Sequence, residues 1–215
     1  MEKKSIILLS GGLDSLVSLD LCKEEYNIAL ALTFDYGQNP VKREVEASKK
    51  ISEYYHIEHK VIKLPFLEEI TNNPYVKGGV ISKEFDIKSV WIPNRNGLFL
   101  NIGASFADSY KYTHVIFGAN RQEGEQFPDN TPEFVSGVNE SFKYSTSNGV
   151  EAVAPLINYT KNDIVKIALE RDVPLEMAYS CYNKGEKNCG VCESCKNLKS
   201  ALEHNNAYNY IERLF

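Results

Sequence analysis

Ser5-Ile6-Ile7-Leu8-Leu9-Ser10-Gly11-Gly12-Leu13-Asp14-Ser15-Leu16-Val17-Ser18-Leu19 is the stretch on which the fold turns. Its apolar run, Ile6 to Leu9, predicts a short strand buried on both faces. The run breaks at Ser10-Gly11-Gly12, which can follow a tight backbone path that a Cβ would obstruct. Asp14 and Ser15 then open a segment with Leu13, Leu16, Val17 and Leu21 at helical spacing. A helix beginning at a glycine turn offers unpaired N–H groups and the positive end of its dipole, which together favour an anion. The hydroxyls of Ser10 and Ser15 stand on either side of the turn as further donors for phosphate oxygens.

Two familiar phosphate loops are excluded by the residues themselves. A Walker A loop ends in Gly-Lys-Ser/Thr, and Asp14-Ser15 stands there instead; a dinucleotide fingerprint needs G-x-G-x-x-G, and only the adjacent pair Gly11-Gly12 is present. What stands after the strand, S-G-G-L-D-S, resembles the pyrophosphate loop of the N-type ATP pyrophosphatases. That resemblance implies ATP split between its α and β phosphates, adenylation of a substrate oxygen, and displacement of AMP by nitrogen or sulfur. It assigns the nucleotide to the whole stretch Leu9, Ser10, Gly11, Gly12, Leu13, Asp14, Ser15, Leu16, Val17, Ser18 and Leu19.

With 215 residues, 43% of them hydrophobic, the chain can bury one good core with a small appendage. The formal charge of −5 and the lack of any Lys/Arg block advertise no nucleic-acid groove. After Lys3-Lys4 the apolar run is too short for a signal peptide or a membrane span, so a cytoplasmic protein is expected. In that reducing compartment, metal ligation outranks disulfides as the use of the five cysteines.

Beyond the loop, Ile28 to Phe34 predicts a second buried strand ended by Asp35-Tyr36-Gly37-Gln38, and Val41 to Tyr55 a helix with Val45, Ile51 and Tyr55 among its apolar positions. Val61-Ile62 centres a third strand. Pro65 to Ile92 is the least regular stretch and is expected to form a flap near the site. After Pro93-Asn94-Arg95-Asn96, a helix over 97–110 carries Leu98, Ile102 and Phe106 as a stripe; a fourth strand lies at His114 to Gly118 and a fifth at Val150 to Pro155. The helix Lys161 to Arg171 follows. This rhythm argues an α/β fold, a doubly wound parallel five-stranded sheet with a small C-terminal helical appendage. Residues 1–175 are read as the nucleotide domain and 176–215 as the metal-binding extension of a single compact unit. Ligands in such sheets bind outside the carboxyl ends of the strands, so Ser10 to Ser15, Asp35 to Gln38 and Asn120 to Asp129 should line one crevice.

Cys181-x7-Cys189-x2-Cys192-x2-Cys195 is the second strong signal. Four thiolates, three of them around Gly190, can converge on one tetrahedral ion, with zinc favoured over an iron–sulfur cluster. Four sulfurs close the shell and leave no position for a reacting water, so the role expected is structural, pinning a helix over 193–204. Cys22, on an apolar helix face, reads as a packing residue. His56, His59, His114 and His204 fall in no ligand or nucleophile pattern.

Taken together, the loop and the cysteine cluster resemble the 7-cyano-7-deazaguanine synthases of queuosine and archaeosine precursor synthesis. The matching stretches span nearly the whole chain: Ser10 to Ser15, Phe34-Asp35-Tyr36-Gly37-Gln38, Pro93-Asn94-Arg95-Asn96, Phe127-Pro128-Asp129 before Glu133-Phe134-Val135, Ser180-Cys181-Tyr182-Asn183, and Cys189-Gly190-Val191-Cys192-Glu193-Ser194-Cys195. The chain departs from that pattern at Asn94, where glycine is frequent, and at Asn130-Thr131, where Cys-Arg is frequent, both on the substrate side.

The resemblance implies 7-carboxy-7-deazaguanine and ammonia as substrates, ATP used twice with Mg²⁺, structural Zn²⁺, and a homodimer. Ser10, Asp14, Ser15 and Lys161 would then be catalytic. Asp14 is a candidate Mg²⁺ ligand or equally a helix cap, and Lys161 reaches phosphate or is a plain surface lysine. Arg95 grips a carboxylate or phosphate, or makes an ordinary surface salt bridge. Asp129 and Glu123 suit a guanine-like amidine edge, and Tyr36, Gln38, Asn96, Asn120 and Phe127 complete the substrate set. Three rival readings stay open: a tRNA thiolase of the same superfamily, an amide synthetase stopping after one adenylation, and a non-catalytic ATP- or zinc-binding module.

Overall fold

The strands and helices alternate as the apolar pattern predicts. β1 (Ser5–Leu8) leads through the glycine turn into α1 (Leu13–Cys22), followed by β2 (Ile28–Asp35), α2 (Val41–Tyr54) and β3 (Glu58–Lys63). The short α3 (Phe66–Ile70) precedes α4 (Arg95–Tyr110) and β4 (His114–Ile116). Next come α5 (Arg121–Gly124), α6 (Pro132–Ser145), β5 (Glu151–Val153) and α7 (Lys161–Glu170). The chain closes with α8 (Glu193–His204) and α9 (Tyr208–Leu214). The computed structural model describes residues 4–79 and 90–215, so part of the expected flap, 80–89, lies outside the described residues.

Among the described residues the five strands are parallel and ordered β3-β2-β1-β4-β5. The order reverses at β1, which pairs with β2 through Leu8–Leu32 and with β4 through Ile7–Ile116. A reversal of this kind opens a crevice at the carboxyl ends of the central strands, and the glycine turn leaves β1 at that point. Because side chains alternate along a strand, Ile7 and Leu9 enter a core shared with α1, α7 and α8, while Ile6 and Leu8 enter a second core under α4 and α6. Leu198, Ala201 and Leu202 of α8 lie in the first of these, with Leu16 and Val165. Among the described residues no helix is long and apolar enough to cross a membrane.

On α4 the residues that meet the sheet are the small ones. Leu100, Gly103, Ala104 and Ala107 are buried, while the expected stripe of Leu98, Ile102 and Phe106 packs partly exposed at its margin. A Cβ on Gly103 would lie 2.8 Å from Val115 Cγ1 and 3.1 Å from Leu8 Cδ2. The close helix–sheet approach therefore depends on the missing side chain. Gly103→Leu is expected to destabilise the fold by about 2–3 kcal/mol through overpacking, despite leucine's better helix propensity. A lower midpoint in urea with an unchanged slope would register it, and an unchanged midpoint would refute the close-packing account. Cys22 is buried as expected, with its thiol pushed up to about 11 by burial and by nearby Glu25.

Candidate active site

The glycine turn is shaped by what lies against it. Gly11 has φ +81, and a Cβ there would sit 2.7 Å from the Glu44 carbonyl of α2, so only glycine allows loop and helix to touch. Gly12 caps α1 in extended conformation with no side-chain cap, which removes Asp14 from the capping role. The hydroxyls cluster around the turn: Ser10 Oγ lies 3.1 Å from Ser15 Oγ, Gly12 N donates to Ser10 Oγ at 3.3 Å, and Leu13 N donates to Ser180 Oγ at 3.2 Å. The N–H groups at this helix start thus point at oxygens outside the helix, as an anion site requires.

Opposite the turn, local sequence aims a lysine inward. Thr160 and Asp163 form a reciprocal capping box at the start of α7, with Asp163 Oδ2 accepting from Thr160 N at 2.8 Å. That fixes Lys161 as the first helical residue, where it is buried rather than on the surface. Asn120 Oδ1 accepts from Glu123 N at 3.0 Å and caps α5, placing Glu123 alongside. Lys161 Nζ donates to Asp14 Oδ2 and, at 2.9 Å, to Glu123 Oε1. Burial pushes the Asp14 carboxyl up to about 6, opposed by the Lys161 charge and helped by Glu123. Burial also works against ionised Glu123 and Lys161, yet their mutual attraction holds Glu123 below the usual range and Lys161 above it. The second oxygen of Asp14, Oδ1, is buried with no hydrogen-bond partner among the described residues. A buried carboxylate oxygen without a donor is a vacant acceptor that a hard cation suits.

The far wall comes from α4 and the strand ends. Asn94 precedes α4 at φ 54 and ψ 26, the left-handed region that glycine enters freely and asparagine tolerates best among the rest. The departure at Asn94 therefore preserves a backbone conformation. Arg95, the next residue, donates from Nη1 to Tyr36 OH at 3.4 Å. Gln38 is a brace for this wall: its Oε1 accepts from Tyr36 N at 2.9 Å, and its Nε2 donates to Phe34 O at 2.9 Å and to Glu44 Oε2 at 2.7 Å. Asp129 sits on a single 3₁₀ turn, where burial raises its carboxyl and Arg95 opposes the rise. Asn130, the other notable departure, donates from Nδ2 to Asp129 Oδ1 at 3.0 Å, and Asn96 Nδ2 donates to Asp129 O at 3.4 Å. The Trp91 and Phe127 rings face each other nearly parallel, centroids 6.0 Å apart.

These groups line one cavity of about 240 Å³. Ser10, Gly12, Leu13, Asp14, Ser15 and Lys161 form its loop end, with Leu9 beside them, and Tyr36, Gln38, Arg95, Asn96, Glu123, Phe127 and Asp129 line it elsewhere. Gly11, Leu16, Val17, Ser18, Leu19 and Asn120 do not: Gly11 turns towards α2, Asn120 is a fully buried cap, and the others lie inside the molecule beneath the turn. Glu44, Tyr75, Trp91 and Tyr179 also line the cavity and carried no sequence signal of that role, whereas Ser180 and Tyr182, which line it too, stand in one of the stretches that carry the family resemblance. Glu44 was masked by the other charges of α2, and the aromatic residues by a loop without periodicity.

The cysteine cluster lies behind the loop. The Sγ atoms of Cys181, Cys189, Cys192 and Cys195 all fall within 4.8 Å of one another. Tetrahedral zinc, with sulfur at about 2.3 Å, separates its ligands by about 3.8 Å, so the donor set and its spacing fit a metal ion. Backbone N–H groups of Asn183 and Cys189 point at Cys181 Sγ at 3.3 and 3.4 Å, and those of Val191 and Cys192 at Cys189 Sγ at 3.5 and 3.4 Å. Such donors favour the thiolate form that ligation needs. Tyr179 N donates to Gly11 O at 2.8 Å, which ties the segment entering the cluster to the turn.

A model of the family described as Queuosine biosynthesis protein QueC matches residues 4–206. The chain belongs to that family. Curated relatives named 7-cyano-7-deazaguanine synthase include one from Methanosarcina barkeri, 45% identical over 94% of each chain. Another, from Carboxydothermus hydrogenoformans, is 44% identical over 93% of this chain and 98% of its own. Among solved structures, the U34-tRNA thiolase NcsA from Methanococcus maripaludis aligns with 99% of this chain and 70% of its own at a TM-score of 0.55 and 17% identity, a likeness of fold. Within the matched span, the loop, Tyr36, Gln38, Arg95 and Asp129 line one cavity, and the four cysteines gather in a cluster of their own. A family member of this kind is an enzyme.

Proposed function

We propose that this QueC-family chain is an ATP-dependent ligase forming C–N bonds, which converts 7-carboxy-7-deazaguanine and ammonia to 7-cyano-7-deazaguanine. The observation carrying this reading is one cavity lined both by a phosphate-type loop with Lys161 and by Arg95, Asp129 and the near-parallel Trp91 and Phe127 rings. A carboxylate resists ammonia because its oxygen is a poor leaving group. Adenylation of that oxygen releases pyrophosphate and makes AMP the leaving group, so ammonia yields the amide. A second adenylation, on the amide oxygen, followed by loss of AMP leaves the nitrile. Both rounds activate an oxygen on the same carbon, so one phosphate-handling end serves both.

In this reading the N–H groups of the turn and the hydroxyls of Ser10 and Ser15 hold the departing pyrophosphate, with Lys161 as the buried cation beside it. Asp14 Oδ1 would hold Mg²⁺, which supplies charge neutralisation on the leaving group when bound. Glu123 serves to set Lys161 in place, whereas Asp129, oriented by Asn130, faces the amidine edge of the base. The four cysteines would hold Zn²⁺ in a closed, structural shell. The same reading takes the enzyme as a cytoplasmic homodimer acting on small molecules without nucleic acid.

The test is a mass-spectrometric endpoint assay with ATP, Mg²⁺, ammonium and 7-carboxy-7-deazaguanine. Nitrile with two AMP per base is the expected result. Amide alone would replace this reading with a one-step synthetase, and an untouched base would overturn it.

A further inference from the structure

One partly buried carboxyl lining the cavity has no part in the chemistry above. Glu44 lies on the first turn of α2, its backbone against the glycine turn at Gly11 and its side chain in the cavity wall between that turn and Arg95. Its oxygens accept from uncharged donors, Oε2 from Gln38 Nε2 at 2.7 Å and Oε1 from Tyr75 OH at 3.3 Å. The other carboxyls of the cavity have other work: Asp14 and Glu123 pair with Lys161, with Asp14 Oδ1 left for the cation in the reading above, and Asp129 accepts from Asn130. Each Glu44 oxygen keeps a lone pair for a further donor.

We propose that the Glu44 carboxylate is the general base that takes protons from the nitrogen nucleophile. This inference rests on the amidating reading above. Turning ammonium into a nitrile nitrogen removes every proton it carries. One leaves when ammonium becomes ammonia. A second leaves as the nitrogen lone pair forms the C–N bond and the C–O electrons depart with AMP. The last two leave as the adenylated amide loses AMP, the N–H electron pairs becoming the additional C–N bonds. A base in the cavity must accept these protons in turn and return them to water. Glu44 is held in one orientation by neutral partners, and burial pushes its carboxyl up to about 7, with Gln38, Arg95 and Tyr75 opposing. A base poised there is half ionised at neutral pH, where proton uptake and release are both fast. The groups facing it are Arg95, Tyr36 and Tyr75, and both tyrosines are held above their usual range by burial, so neither competes as base.

The test compares wild type with Glu44→Gln, which keeps the side-chain shape but cannot take a proton. Two nucleophiles are supplied with ATP and the carboxylate: ammonium, which must lose a proton before attack, and hydroxylamine, which is mostly neutral at pH 7. Ammonium-dependent amide formation is expected to fall about 10²-fold in the variant, while hydroxamate formation falls far less. In wild type, the rate corrected for free ammonia should still rise through pH about 7 as Glu44 ionises, and the variant should lose that inflection. Equal losses with both nucleophiles, or a wild-type rate that tracks free ammonia alone, would overturn the assignment while leaving the amidating reading intact. A wild type that consumes ATP without making amide would overturn both.

Discussion

Lys161→Met is expected to lower AMP-forming turnover about 10³-fold, because it removes a preorganised positive group from the place where charge develops on the leaving pyrophosphate. The effect has a second component. Lys161 is the counter-charge between Asp14 and Glu123, and its removal leaves two partly buried carboxyls without that counter-charge. Burial already pushes Asp14 up to about 6 against the Lys161 charge. Without that charge the carboxyl moves further up and carries a proton at neutral pH, so it no longer offers Asp14 Oδ1 to a cation. Residual activity of the variant should therefore rise as pH is raised above neutral, whereas wild-type Asp14 is already ionised there. Stripping a buried ion pair of one partner destabilises by about 3–5 kcal/mol. Here the loss should be smaller, about 2 kcal/mol, because the Glu123 side chain is 37% exposed and water screens it. Product quantitation across pH, alongside a thermal melt, separates the two components. A variant with near-normal turnover would remove Lys161 from phosphate handling.

The readable parts of this molecule are those where one chemical requirement dominates a short stretch. The strand and turn at Ile6 to Gly12 were legible because a strand buried on both faces has to be apolar throughout and a chain docking on α2 has to lack a Cβ at Gly11. The cysteines were legible because a closed sulfur shell imposes its own spacing. Legibility fails where tertiary packing inverts a local preference. Reading large apolar residues as the buried face misplaced the contact stripe of α4, since Gly103 and Ala107 permit a closer approach than Ile102 or Phe106. Past Ser15 the nucleotide stretch that the resemblance assigns runs on into the core, where Leu16, Val17, Ser18 and Leu19 line no part of the cavity. α6 escaped notice although Thr131 caps it through Phe134 N at 3.2 Å and Pro132 opens it, because its apolar residues sit among polar ones and only Phe142 is fully buried. Glu44 is the sharpest case. It sits on a helix rich in charge, and only the fold reveals that this carboxyl enters the cavity.

Cys192→Ser should reduce metal content and nucleotide affinity together. Cys192 is fully buried, forms the N-cap residue of α8 and sends its N–H to Cys189 Sγ at 3.4 Å, so a serine oxygen there breaks a thiolate shell at a fully buried corner. Apparent binding energies of structural zinc sites run to about 10–16 kcal/mol in small peptides that have little else to hold them. In this chain α8 also buries Leu198, Ala201 and Leu202 in the main core, so the domain should stay folded and lose only part of that stabilisation. The loss should reach the active site by a short path. Ser180, immediately before Cys181, accepts from Leu13 N at 3.2 Å, and Tyr179 N donates to Gly11 O at 2.8 Å. Those contacts hold the back of the glycine turn, and a slack cysteine cluster releases them. Elemental analysis should show less than one metal per chain, a melt should show a lower transition, and titration with ATP should show weakened binding with the loop residues themselves unchanged. A variant that loses its metal yet binds ATP as wild type does would confine the cluster to stability and break the proposed link between the cysteines and the turn.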